Sequence, residues 1–190
     1  MNRVGIFAGA FDPIHDGHLE VARSAVTFLE LDELHFLVEA QPWTAKQPVS
    51  LQHRRAMVDI ATQGLENIEQ LKLDDTRFNI QTTLPKLESN FPESELYFVF
   101  GADVFMQMSR EQWPGLEQIL KHYVVVFERS DITEKHITEH AKQLGVVVAI
   151  LPSKHLHHSS SAVRMQPHEK KVWVSQAVAD YIHQYQLYKV

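Results

Sequence analysis

Cysteine is absent from the 190-residue chain. That excludes a disulfide framework and any thiolate metal site. No apolar run approaches the roughly 20 residues a membrane span needs, and the N-terminus carries no signal-peptide pattern. A cytoplasmic protein with no membrane partner is the expectation. An excess of positive charge is also missing: 18 Lys and Arg against 24 Asp and Glu leave a net charge of −6. A general binder of nucleic-acid backbones would carry a basic face, so nucleic acid is not an expected partner. A local basic pocket for a nucleotide stays compatible with that balance. The chain has no internal repeat, low-complexity tract or long linker, and residues 1–190 read as one domain.

What the chain does contain is an alternation of apolar runs and helix-period segments. The runs are RVGIFAGAF (3–11), ELHFLVEA (33–40), IEQLKL (68–73), ELYFVFG (95–101), HYVVVFE (122–128) and GVVVAIL (145–151). Several are apolar at consecutive positions, as strands buried on both faces of a parallel sheet must be. Between them, Leu19, Ala22, Val26 and Leu29 share one helical face, and Ser50 is placed to cap a helix carrying Met57, Ile60 and Ala61 before Gly64. Ser175 is placed to cap a last helix with Ala177, Val178, Tyr181, Ile182 and Tyr185 on one side. This pattern predicts an α/β fold with a doubly wound, mainly parallel sheet, whose ligands lie outside the carboxyl ends of the strands.

The chemistry concentrates directly after the first run, in GAFDPIHDGH (9–18). If that run is a strand and a helix begins near Gly17, His15 and His18 stand at a strand-to-helix junction, where free N–H groups and the helix dipole favour a phosphate. Gly9 permits close backbone approach and Pro13 stiffens the turn. Two imidazoles three residues apart can donate to one bound phosphate. Such a site suits attack of one phosphate on another: the nucleophile is already an anion, and the site supplies orientation and charge stabilisation. Other readings of the histidines are surface residues, or two zinc ligands joined by one of His155, His157 or His158. The stretch does not spell G-x-G-x-x-G, so the dinucleotide fingerprint is weak despite Glu39 near the end of the second strand. Near the other end, HHSSSAVR (157–164) reads as a helix start that can hold phosphates through hydroxyls, N–H groups and Arg164; the alternative is a capped surface helix.

GAFDPIHDGH resembles the G-x-F-D-P-x-H-x-G-H signature of the nucleotidyltransferase superfamily, specifically that of nicotinate mononucleotide adenylyltransferases. HHSSSAVR resembles that family's S-S-T/S-x-x-R motif, and VFGADVF (99–105) with QWPGLEQIL (112–120) resembles its G-x-D segment followed by W-x-x-x-x-x-I-L. VSQAVADYIHQYQLY resembles its closing helix, so the likeness covers nearly the whole chain. It implies a Rossmann-like fold and transfer of AMP from ATP to nicotinate mononucleotide, with release of pyrophosphate, in NAD biosynthesis. His15 and His18, helped by Lys46, are the implied catalytic residues. Gly9, Ala10, Phe11, His15, His18, Gly101, Asp103, Ser160, Ser161 and Arg164 are implied to bind ATP. Trp113, Thr82 and Thr83 are implied to bind the acceptor, with Trp113 lying on the pyridine ring. Mg²⁺ is expected through phosphate oxygens and water, with no protein ligand, and a homo-oligomer is left open. The rival classes are transfer to another phosphorylated acceptor, a metal-dependent phosphohydrolase built on His15–Asp16, and a non-catalytic nucleotide-binding module.

Three departures from the family pattern stand out. Gly-Thr before FDP is Gly9–Ala10; the P-P-H-K/R loop is QPWTAKQP (41–48), with Lys46 as its basic counterpart; and S-Y-T is replaced within FNIQTTL (78–84). With those side chains gone, recognition of a nicotinate carboxylate would rest on backbone N–H groups near residues 79–83 and the local helix dipole.

Overall fold

The computed structural model describes residues 1–42, 47–73, 78–109, 112–128, 132–152, 159–165 and 173–188. Six strands alternate with helices: β1 Arg3–Gly9, α1 Asp16–Phe28, β2 Glu33–Val38, α2 Leu51–Thr62, β3 Ile68–Leu71, α3 Thr83–Asn90, β4 Glu95–Gly101, α4 Ala102–Phe105, α5 Leu116–Ile119, β5 Tyr123–Phe127, α6 Glu134–Leu144, β6 Val148–Leu151, α7 Ser160–Met165 and α8 Gln176–Gln184. Every strand pairing is parallel, in the order β3-β2-β1-β4-β5-β6.

Each apolar run of the sequence is thus a strand, and the reason is burial on both faces. Phe7, Phe36, Val99 and Val125 join one core with α1, α2 and α8. Their neighbours Ile6, Leu37, Phe98 and Val126 join a second core with α3, α5 and α6. Because β1 is central, leaving it exposed on either side would forfeit about 1.5–3 kcal/mol for each large side chain. Several strands are shorter than the runs predict. β1 stops at Gly9, and Phe11 turns the chain with a left-handed φ of 46°. Gly145 closes α6 in the left-handed region, φ 72°, so β6 begins three residues later, at Val148.

The caps at Ser50 and Ser175 form, accepting from His53 N and Val178 N, both at 3.3 Å. In α8 the inward face is Val178, Tyr181 and Ile182; Ala177 and Tyr185 are exposed, contrary to the expected face. No helix among the described residues is long and apolar enough to cross a membrane. The strand order reverses between β1 and β4, so a crevice opens past Gly9 and Gly101, where such sheets take their ligands.

Candidate active site

Two lobes share that crevice, with Ala8, Gly9, Ala10, Gly101 and Val104 on the wall of both. The first is a cleft of about 250 Å³ carrying Asp12, His18, Asp103, Ser159, Ser160, Ser161 and Arg164. The second, about 350 Å³, is lined by Glu39, Phe78, Phe100, Gln107, Gln112 and Trp113. One is polar and suits phosphates. The other suits a flat ring.

The polar lobe begins at the turn after β1. Gly9 is needed there because a Cβ would lie 3.1 Å from the Phe11 ring. His15 is the N-cap residue of α1 and His18 stands in its first turn. Their rings stack with centroids 3.6 Å apart, and His18 is further wedged edge-on against Phe7 and Phe11. His18 Nδ1 accepts the His15 backbone N–H at 3.2 Å. That bond places the neutral ring's proton on Nε2, leaving a donor for the cleft that His18 lines. His15 is 3% exposed and is not part of the cleft's lining; it backs the His18 ring.

Across the crevice, β4 runs into α4 without a loop. A Cβ on Gly101 would come 2.5 Å from Asp103 Oδ1, so the glycine leaves space for that carboxylate to fold over the strand end. The third wall is α7. Ser159 Oγ accepts Ala162 N at 3.2 Å and Ser160 Oγ donates to Pro13 O at 2.9 Å, tying the serine run to the turn after β1. Arg164 donates to Asp12 O at 2.6 Å and to Ser161 Oγ at 3.0 Å. Its side chain is about one-third exposed, so it can turn its fork to an incoming phosphate. Ser159 is a cleft residue that the motif comparison passed over; its signal was its place at the start of the serine run.

Two further residues were missed. Arg54 is 1% exposed and donates to Val49 O, Ala10 O, Glu39 O and Ala40 O at 2.6–3.0 Å. It clamps the turns leaving β1 and β2. Burial pushes its guanidinium below the usual value, while Asp12, Tyr188 and Glu39 act to raise it. Tyr188, at the other end of the chain, donates its hydroxyl to Asp12 Oδ1 at 2.7 Å. Burial first, then Asp12, drives that phenol far above its ordinary value.

In the ring lobe, Trp113 is half-buried and meets Phe100 edge-to-face, centroids 6.1 Å apart. The segment expected to bind the acceptor behaves differently. Thr83 is fully buried, its hydroxyl accepting Asn79 N at 3.0 Å, and exposed Thr82 is not on the lobe wall. Short hydroxyl side chains bond locally in turns, and that use has displaced ligand binding at Thr83. The backbone donors are engaged as well. Phe78 N donates to Glu39 Oε1 at 2.9 Å, and Gln81 N to Asn79 Oδ1 at 2.7 Å; Thr82 N and Thr83 N both donate to Asn79 O. These bonds correct the expectation that N–H groups of 79–83 face a carboxylate. Lys46, His155, His157 and His158 lie outside the described residues.

A crevice at the switch point of a parallel sheet, one lobe set for phosphates and the other for a ring, defines a nucleotide-binding α/β enzyme. The chain belongs to the cytidylyltransferase-like family, whose profile matches residues 6–166, and with it to the nicotinate-nucleotide adenylyltransferases, as two bacterial relatives show. The one from Mycobacterium tuberculosis is 30% identical over 194 residues, covering 97% of this chain and 91% of the relative. The one from Clavibacter sepedonicus is 32% identical over 196 residues, 98% and 94% of the two chains. Both are named "Probable nicotinate-nucleotide adenylyltransferase". The fold matches the solved structure "Plasmodium falciparum nicotinic acid mononucleotide adenylyltransferase complexed with NaAD" with a TM-score of 0.80 at 19% identity, covering 99% and 98% of the chains.

Proposed function

We propose that this chain transfers AMP from ATP to nicotinate mononucleotide, forming the deamido-NAD dinucleotide and pyrophosphate. The carrying observation is that the phosphate lobe and the ring lobe meet along the backbone of Gly9, Ala10 and Gly101. An acceptor whose ring rests by Trp113 reaches the polar lobe with its own phosphate. There an acceptor phosphate oxygen bonds to the α-phosphorus of ATP, and the bond to the β-phosphate breaks, its electron pair leaving with pyrophosphate. The nucleophile is already an anion, so no side chain has to become covalently attached.

The residues divide the work. His18 Nε2–H donates to the phosphoryl oxygens as charge builds on them, and a donor fixed in advance needs no reorganisation. His15, stacked behind it, is a positioning residue. Ser160, Ser161 and Arg164 hold the β- and γ-phosphates, with the guanidinium fork matched to two oxygens. Asp103 takes a ribose hydroxyl, and Gly9, Ala10 and Phe11 form the floor under the phosphates. Lys46 is a helper on the phosphate side. The donor set at this lobe, carboxylates, hydroxyls and an imidazole, fits Mg²⁺ that arrives with ATP and is held chiefly by phosphate oxygens and water. Bound there, the ion neutralises phosphate charge.

The test is pyrophosphate release from ATP across a panel of acceptors: nicotinate mononucleotide, other mononucleotides and phosphopantetheine. Release with a pyridine mononucleotide and none with phosphopantetheine is expected. ATP binding without release for any acceptor would mark a non-catalytic nucleotide-binding module instead.

A further inference from the structure

The ring lobe is chemically odd for a carboxylate-bearing ring. Among the described residues, Glu39 is the only ionisable side chain on its wall; the others are Phe78, Phe100, Trp113, two glutamines and small residues. No lysine, arginine or histidine of the described residues faces it. The nearby buried cation, Arg54, directs its donors at backbone carbonyls. The N–H groups of Phe78, Asn79, Gln81, Thr82 and Thr83 are bonded within the wall. A ring carboxylate entering here meets a fixed negative charge and few donors. A ring carboxamide meets the reverse: its NH₂ finds an acceptor in the Glu39 carboxylate, and its oxygen a donor in the Gln112 amide.

We infer that this lobe accepts the uncharged carboxamide ring, making nicotinamide mononucleotide a second AMP acceptor, and that Glu39 is the specificity-determining residue. The inference rests on the transfer reaction proposed above. The discrimination is repulsive in origin: like charges in a half-buried site disfavour one acceptor more than any new contact favours the other. Glu39 has a second task, since its Oε1 fixes Phe78 N and thereby the 78–83 turn. Glu39→Gln separates the two tasks, because the amide keeps an oxygen for Phe78 N and loses the charge.

The experiment measures kcat/KM for both mononucleotides with saturating ATP, in the wild type and in E39Q. In the wild type the two values are expected to lie within tenfold of each other, or to favour the nicotinamide form. E39Q is expected to shift their ratio about tenfold toward the nicotinate form, mainly through the acceptor KM, with the KM for ATP unchanged. Because the readout is a ratio within one protein, partial misfolding of the variant cancels. A wild-type preference for the nicotinate form beyond tenfold, or a ratio unmoved in E39Q, overturns the inference and leaves the transfer reaction standing. If neither mononucleotide releases pyrophosphate, the transfer reaction itself fails and takes this inference with it.

Discussion

Replacing His18 separates catalysis from architecture, because its two ring nitrogens have different partners. Nδ1 accepts the His15 N–H at 3.2 Å, while Nε2 carries the proton offered to the cleft. His18→Ala removes both. His18→Asn puts an amide oxygen near the Nδ1 position and keeps the first bond, but has nothing at Nε2. His18→Gln reaches the Nε2 position with an NH₂ donor. Loss of one preorganised donor costs about 10²–10³ in kcat, or about 2.7–4 kcal/mol of transition-state stabilisation. Loss of the bond to His15 N costs about 1 kcal/mol of stability, or about 2–4 °C in Tm for a chain of this size. Ala and Asn should therefore lose turnover alike, Gln should recover part of it, and the KM for ATP should stay within a few-fold in all three. Initial rates of pyrophosphate release, with melting curves alongside, give both quantities. Near-wild-type turnover in His18→Asn would refute the donor role of Nε2.

Three other outcomes follow from the same geometry. Arg164→Lys should raise the KM for ATP, and for pyrophosphate in the reverse reaction, by roughly ten- to a hundredfold, since a point charge cannot replace a bidentate fork; unchanged values in Arg164→Ala would reduce α7 to a capped helix. Arg54→Ala strands four carbonyls that now share one guanidinium, and should cost about 3–5 kcal/mol. That corresponds to a fall in Tm of roughly 6–20 °C, and a fall under about 3 °C would contradict the clamp. Tyr188 is held neutral in the folded chain, its pKa raised above the unfolded value. Its contribution is fully present below about pH 10, the unfolded tyrosine pKa, and is lost as pH rises beyond it. The fall is about 1.4 kcal/mol per pH unit, and denaturant melts at pH 9 to 11 should show it in the wild type but not in Tyr188→Phe; equal slopes would refute it.

The strands were legible because a central parallel strand must be apolar on both faces, a condition written in consecutive residues. The phosphate lobe was legible because its parts, GAFDPIHDGH and HHSSSAVR, are local motifs. What escaped acts at long range. Arg54 reaches Ala10 across 44 positions and Tyr188 reaches Asp12 across 176, and no local spacing announces such contacts. Glu39 was visible only as an acid near a strand end, because the charge of a pocket wall depends on which loops fold beside it. Thr83 misled for the opposite reason: its hydroxyl has an equally good use within its own turn.

The central claim is direct transfer between two phosphates held in one crevice, and the configuration at the transferred phosphorus tests it most directly. ATP carrying a single sulfur diastereomer at the α-phosphorus, reacted with the pyridine mononucleotide acceptor, should give a dinucleotide of inverted configuration, because a single in-line displacement turns the centre once. Retention would mean two displacements through a covalent intermediate on the protein, and would contradict the account.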